Sequence, residues 1–310
     1  MMKTAFFGIA GALALAAQSM TPSYVLVRQW GEFGTKPGQF RFPAMIAADR
    51  HSNLYVVDQH NHRVQKFDSE GRFLLSWGEQ GNGPGQFNYP FGVAVNSRGE
   101  VYISDMNNHR IQAFSAQGEF IGTAGGYGSG NGEFKYPYGL AIDSHDVIYG
   151  IDSLNYRVQK LDRDLKFLGA WGSAASIGIK VYMPHEIAVL PDGNVALSDR
   201  QNHRISVFTT TGRLVRRFGD YGEGDAAAGG RFSEPHGITI TPDGALLVCD
   251  RYNFRIQMWS PAGGFEASWK TAGAGDESER YPLGITAGQN GRVYVTDHYR
   301  HCIQEYRIQR

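Results

Sequence analysis

Six prolines set the length scale of this chain. Pro43, Pro90, Pro137, Pro184, Pro235 and Pro282 each open a Pro-x-x-apolar step, at spacings of 47, 47, 47, 51 and 47 residues. An aspartate follows each proline by fifteen residues, at Asp58, Asp105, Asp152, Asp199, Asp250 and Asp297. Five residues further on stands Arg63, Arg110, Arg157, Arg204 or Arg255, with Cys302 in the sixth copy. A period of this length, sustained through most of 310 residues, means repeated supersecondary units that bury their apolar faces against one another.

Each copy holds four short apolar runs separated by turn residues. In the second they are Gly92–Val95, Val101–Ser104, Arg110–Phe114 and Glu119–Thr123, with turns at Arg98-Gly99 and Gln117-Gly118. Alternation and β-branched content mark these runs as strands, and no stretch after the first 20 residues carries a helical period. Four strands per repeat, arranged radially, predict an all-β, six-bladed β-propeller. The sixth copy stops after its third strand, near Ile303–Tyr306. Tyr24–Gly31 aligns with the fourth strand of the first copy, Arg72–Gly78. The N-terminal strand is therefore expected to close the last blade and remove the open sheet edges. The fourth residue after each proline is Ala47, Ala94, Ala141, Ala188, Thr239 or Thr286. Such small side chains suit inner strands crowded around an axis.

The domain plan is a leader over 1–20 and the propeller over 21–310. In the leader Lys3 precedes an apolar run from Ala5 to Ala17, and Ala14 and Ala16 offer a small-residue cleavage site. This is the layout of a signal peptide and too short for a membrane span, so a secreted or periplasmic chain is expected. Thirty basic and thirty acidic residues cancel. A neutral surface has no general attraction for phosphate backbones, so nucleic acid is not the expected partner. Cys249 ends an apolar strand pattern and reads as a buried free thiol. One disulfide with Cys302 stays open in an exported chain. Phosphate-loop, dinucleotide and nucleophile-elbow signatures are absent from the sequence.

Strand direction alternates along each blade, so the Pro-x step, the turn between strands two and three, and the Gly-rich linker share one face. Loops on a rigid scaffold are where function concentrates. The residue after each proline sits at the channel mouth, which gives Ala44, Phe91, Tyr138, His185, His236 and Leu283 around the ring. His185 and His236 come from neighbouring blades and are expected to approach one another. Arg200 and Arg251 follow the strand-two aspartates of the same blades, and His60, His298, Tyr252 and Tyr299 occupy nearby turns. These residue types on a concave mouth suit a polar binding site. Phe91, Tyr138, His60, His298 and Tyr299 are the expected ligand contacts. Imidazoles also hold zinc or another divalent metal, which makes His185 and His236 the candidate ligands, with His60, His298 or Glu186 as a third. His62, His109 and His203 occupy equivalent turns on separate blades and are expected to be structural. The same holds for the Asp and Arg five residues apart, and for the series Phe40, Phe87, Phe134 and Phe232. Residues 222–233 hold the four extra residues of the 51-residue repeat and are expected to overhang the mouth.

The trio Asn61-His62-Arg63, repeated as Asn108-His109-Arg110 and Asn202-His203-Arg204, resembles the signature of the NHL family. So does the linker Gly81-Asn82-Gly83-Pro84-Gly85-Gln86-Phe87. The likeness covers residues 24–310 and implies a propeller. Blades four and five are also similar to those of the peptidyl-hydroxyglycine α-amidating lyases, where Pro-His steps supply zinc ligands and an Asp-Arg step an active-site arginine. That resemblance implies zinc on His185 and His236, Arg200 and Arg251 on a substrate carboxylate, and Tyr252 as base. The lyases use three zinc histidines from separate blades. Ala44, Phe91, Tyr138 and Leu283 offer no third here. Two functions follow. One is a monomeric exported scaffold that binds a peptide, protein or glycan at the mouth. The other is a metal-dependent lyase or hydrolase.

Overall fold

The computed structural model describes residues 23–172, 181–224, 229–271 and 281–309. The expected leader and residues 225–228 of the long linker lie outside them. Six four-stranded antiparallel sheets form the blades of a propeller. Blade one runs from the axis outward as Pro43–Ala48, Leu54–Asp58, Arg63–Phe67 and Phe73–Trp77. Blades two to five repeat this order. Blade six is built from Pro282–Ala287, Arg292–Asp297 and Cys302–Gln309, and its outermost strand is Ser23–Trp30. The N-terminal strand thus closes the ring, pairing antiparallel from Ser23 opposite Gln309 to Trp30 opposite Ile303. Among the described residues no helix is long and apolar enough to cross a membrane.

The core lies between blades. Phe40, Phe87, Phe134 and Phe232 are fully buried, each at the end of a Gly-rich linker where the chain re-enters the ring. Phe87, for example, packs among Val57 and Val64 of blade one and Ile103 and Phe114 of blade two. The linkers are regular too: Phe33, Gln80 and Tyr127 each bridge in parallel to a buried phenylalanine, and Asp220–Tyr221 pairs with Arg231–Phe232.

Two polar devices hold the loop face. The first is the aspartate that ends strand two. Fully buried Asp58 accepts hydrogen bonds from the Arg41 backbone N–H (2.7 Å), Asn61 Nδ2 (2.8 Å), Arg63 Nε (2.7 Å) and Gln65 Nε2 (3.1 Å). Charge-assisted bonds on every side compensate the carboxylate for its lost water. Asp105, Asp152, Asp199 and Asp250 do the same, each with its own arginine. The second device follows a three-residue 3-10 turn, where hairpin turns were expected. The residue after that turn is left-handed, with φ +52° at His62, +55° at His109 and +51° at His203. Their Nδ1 atoms accept the backbone N–H of Tyr89, Tyr136 and Glu234 from the next blade, at 3.1, 3.2 and 3.1 Å. These histidines join blades, as their symmetric placement implied. Cys249 and Cys302 are both buried and free, and burial raises both thiols, Cys302 to about 12.

Candidate functional site

Each inner strand begins with an irregularity. In blade four, Pro184 pairs with Asp199 and Ile187 with Leu197, so His185 and Glu186 together oppose Ser198 alone. Such a bulge kinks the strand and re-aims its side chains. Here it turns consecutive residues to different places. His185 enters the mouth, and Glu186 lines the channel below it. The other blades repeat the bulge with mostly glycine at the second position: Gly92, Gly139, Gly237 and Gly284. A side chain there would collide with the neighbouring blade; a Cβ on Gly237 would lie 2.4 Å from the Leu283 carbonyl. Glu186 uses the space beside Gly139, whose own Cβ would lie 2.4 Å from the Glu186 carboxyl.

The mouth is a cavity of about 370 Å³. Of the residues singled out in the sequence, His60, Phe91, Tyr138, His185, Arg200, His236, Arg251 and His298 all line it. Tyr252 and Tyr299 do not. Tyr252 packs on Arg251, whose guanidinium carbon is 4.8 Å from its ring centroid, and Tyr299 packs on Tyr281 with 4.5 Å between centroids. Sequence reasoning missed Tyr281 and Glu234. Both precede the repeat proline, where the chain reads Phe42, Tyr89, Tyr136, Met183, Glu234 and Tyr281. The break from aromatic to acidic at Glu234 was the available signal.

His185 and His236 meet as expected, with ring centroids 4.1 Å apart, and Tyr138 and Phe91 pack on His185 at 4.7 and 5.0 Å. His236 Nδ1 lies 2.9 Å from the Glu234 carbonyl oxygen, and its Nε2 lies 2.9 Å from Arg251 Nη1. A carbonyl can only accept and a guanidinium can only donate, so His236 is the neutral Nδ1–H tautomer. Burial, then His185 and Arg251, pushes His236 well below the usual histidine range. Burial, then Arg200 and Arg251, does the same to His185. Arg251 stacks on Tyr281, its guanidinium carbon 3.9 Å from the ring centroid. Burial lowers it to about 10, so it stays charged at neutral pH. Arg200 binds the Glu234 carboxylate through Nε and Nη2, both at 2.7 Å, and Arg251 Nη1 reaches the same oxygen at 3.3 Å. His185 Nδ1 and Arg251 Nε are buried and meet no hydrogen-bond partner among the described residues. His298 donates from Nδ1 to the Pro43 carbonyl at 3.0 Å, and burial brings it down to about 4.

These donors do not suit the metal expected on His185 and His236. Both nitrogens of His236 are engaged, one of them by a cation. Among the described residues no three His, Cys, Asp or Glu side chains converge as a metal-holding group. Two guanidiniums beside the histidines also oppose a divalent cation. What the arrangement can do is bind a partner that accepts hydrogen bonds against aromatic walls.

Fold and site together define a six-bladed β-propeller with a polar, aromatic-walled mouth. The chain carries NHL repeats: the profile of that repeat matches residues 87–114, 181–208, 232–259 and 280–306. It is 47% identical over 45 residues to Protein brain tumor of Drosophila melanogaster, a stretch covering 14% of this chain and 4% of that protein. It is 34% identical over 118 residues to Peptidyl-glycine alpha-amidating monooxygenase A of Xenopus laevis, covering 36% of this chain and 13% of the relative. The chain therefore spans only a small part of these relatives' length. A solved streptogramin B lyase superposes with a TM-score of 0.62 at 20% identity, covering 93% of this chain and 88% of the other. At that identity the likeness is one of fold.

Proposed function

We propose that this protein is a binding propeller that takes a peptide or a segment of a protein at its channel mouth, working as a monomer outside the cytoplasm. The observation that carries this reading is the lining of one cavity, where His185, His236, Arg200 and Arg251 stand together among aromatic side chains. Charged and imidazole groups gathered in one concavity are suited to a partner that hydrogen-bonds to them. Phe91, Tyr138, Tyr281 and Leu283 offer apolar contact beside them. This is the usual composition of a recognition pocket. Export rests on the apolar run from Ala5 to Ala17. The mass of the chain recovered from a periplasmic or secreted fraction tests it.

The binding reading is tested by selecting displayed peptides on the purified chain and on a Phe91→Ala/Tyr138→Ala variant. Selected peptides should lose about tenfold or more of their affinity for the variant. Peptides that bind both equally would place recognition elsewhere.

The second reading, a metal-dependent lyase or hydrolase, draws on the local identity to the amidating monooxygenase. Elemental analysis separates the two. About one equivalent of zinc, lost in a His185→Ala/His236→Ala variant, would favour the enzyme.

A further inference from the structure

We propose that Glu234 is an internal occupant of an oxyanion site formed by Arg200 and Arg251, and that the ligand taken at the mouth carries a carboxylate or phosphate that displaces it. This rests on the binding reading above and names the chemistry it would use.

The placement of Glu234 is unusual for its repeat position. The residue before the proline is aromatic in four blades and methionine in one, and its backbone is left-handed at Phe42, Tyr89, Tyr136, Met183 and Glu234. Blade five keeps that backbone, with φ +51°, but puts a carboxylate on the rim. Main-chain bonds fix this residue at both ends: its N–H donates to His203 Nδ1 and its carbonyl accepts from His236 Nδ1. The side chain is held differently. Its contacts with the arginines all fall on one oxygen, Oε2, and the side chain is about one-fifth exposed. A structural carboxylate in this fold looks different. Asp58 is fully buried and uses both oxygens, Oδ1 for Arg41 N–H and Oδ2 for Asn61, Arg63 and Gln65.

The charge balance also points to an anion. Arg200 and Arg251 face one carboxylate, and His236 is a neutral tautomer, so the cluster keeps an excess positive charge. Arg251 Nε, in one of these guanidiniums, meets no hydrogen-bond partner among the described residues. An incoming oxyanion on the two guanidiniums would replace Glu234 Oε2 as the acceptor of Arg200 Nε and Nη2 and of Arg251 Nη1. Planar guanidiniums match carboxylate and phosphate geometry. The ligand's body would then lie against Tyr281 and Tyr138.

The test uses the full chain with two probes, benzoate and inorganic phosphate, titrated calorimetrically into wild type, E234Q and R251M at one pH. Circular dichroism confirms that each variant is folded. Removing the internal charge should tighten the binding of at least one probe by roughly tenfold to a hundredfold in E234Q. In R251M that binding should be lost. Preference between the probes tells a carboxylate ligand from a phosphate ligand. Weaker or unchanged binding in E234Q would make Glu234 a structural neutraliser and overturn the proposal. Failure of both probes to bind either wild type or E234Q would overturn it too. If E234Q does not fold, R200Q in competition with a mouth-binding peptide decides: phosphate or benzoate must displace that peptide from wild type and fail to do so from R200Q. Peptides that bind the mouth while both probes are inert would leave the binding reading intact and sink only the oxyanion site. The reverse result would do the opposite.

Discussion

Arg251 donates from Nη1 to Nε2 of His236 across 2.9 Å, occupying the nitrogen through which that imidazole would otherwise hold a metal or a proton. Protonating His236 means breaking this bond and placing a second positive charge beside the guanidinium. The neutral state is thus part of the fold.

A pH dependence follows from the mouth histidines. His298 is held at about 4, below its ordinary value of 6.5, and His185 and His236 are lowered as well. The unfolded chain therefore binds these protons at higher pH than the folded one. Stability should be fully present above pH 6.5 and fall as the pH drops from there towards 4. Urea denaturation midpoints across that range check this, and a His298→Phe variant should flatten the slope.

Glu186 acts in the opposite sense. Burial raises its carboxyl from 4.5 to about 8, so the folded state keeps it protonated when the unfolded chain has released the proton. Its contribution is present below pH 4.5 and is lost as the pH rises through 8. Glu186→Gln removes this loss and should stabilise the protein at pH 8 by roughly 2–4 kcal/mol, with little effect at pH 4.5. Equal effects at both pH values would contradict a proton on Glu186.

The aspartate clamps should be costly to break. Asp58→Ala leaves Arg63 Nε and the Arg41 backbone N–H without their acceptor, and a loss of about 3–5 kcal/mol is expected. Chemical denaturation measures it, and Asp58→Asn should recover part of the loss.

His109 carries two duties, a left-handed backbone and the acceptor for Tyr136 N–H. His109→Ala should cost about 1–2 kcal/mol through the lost hydrogen bond, plus strain at φ +55°. His109→Gly relieves the strain and not the hydrogen bond. A smaller loss for glycine than for alanine, read from thermal midpoints, separates the two.

Ring closure is the remaining prediction. Deleting residues 23–30 strips the outer strand from Cys302–Gln309 and removes Arg28, which bonds Glu70 of blade one and Glu305 of blade six. An exposed strand edge invites intermolecular pairing, so the truncated chain should elute as aggregate in size-exclusion chromatography.

The sequence resolves the ring and its strands because the repeat places turn residues, aspartates and small inner residues at fixed offsets. The closing strand was legible for the same reason, since Tyr24–Gly31 copies Arg72–Gly78. The mouth was legible in part. Alignment on Pro184 and Pro235 brought His185 and His236 together, but no alignment shows that Arg251 Nη1 faces His236 Nε2. Rotamers and bulge geometry decide that. Tyr252 and Tyr299 were placed by proximity in sequence, whereas the 3-10 turn Arg251–Asn253 and the turn at 298–301 leave them outside the cavity lining. Glu234 was less legible because it precedes the repeat proline, whereas the residues that alignment brings to the mouth follow it.

The pairing of Ser23 with Gln309 has a spatial consequence. The strand Cys302–Gln309 starts beside the mouth and runs towards the opposite face, and its partner runs back. Both strand ends thus leave the propeller together on the side away from the cavity. Anything joined at residue 23 or at residue 309, such as a tether, a surface or a second module, would hold the propeller by its back, with the mouth pointed outward and unobstructed.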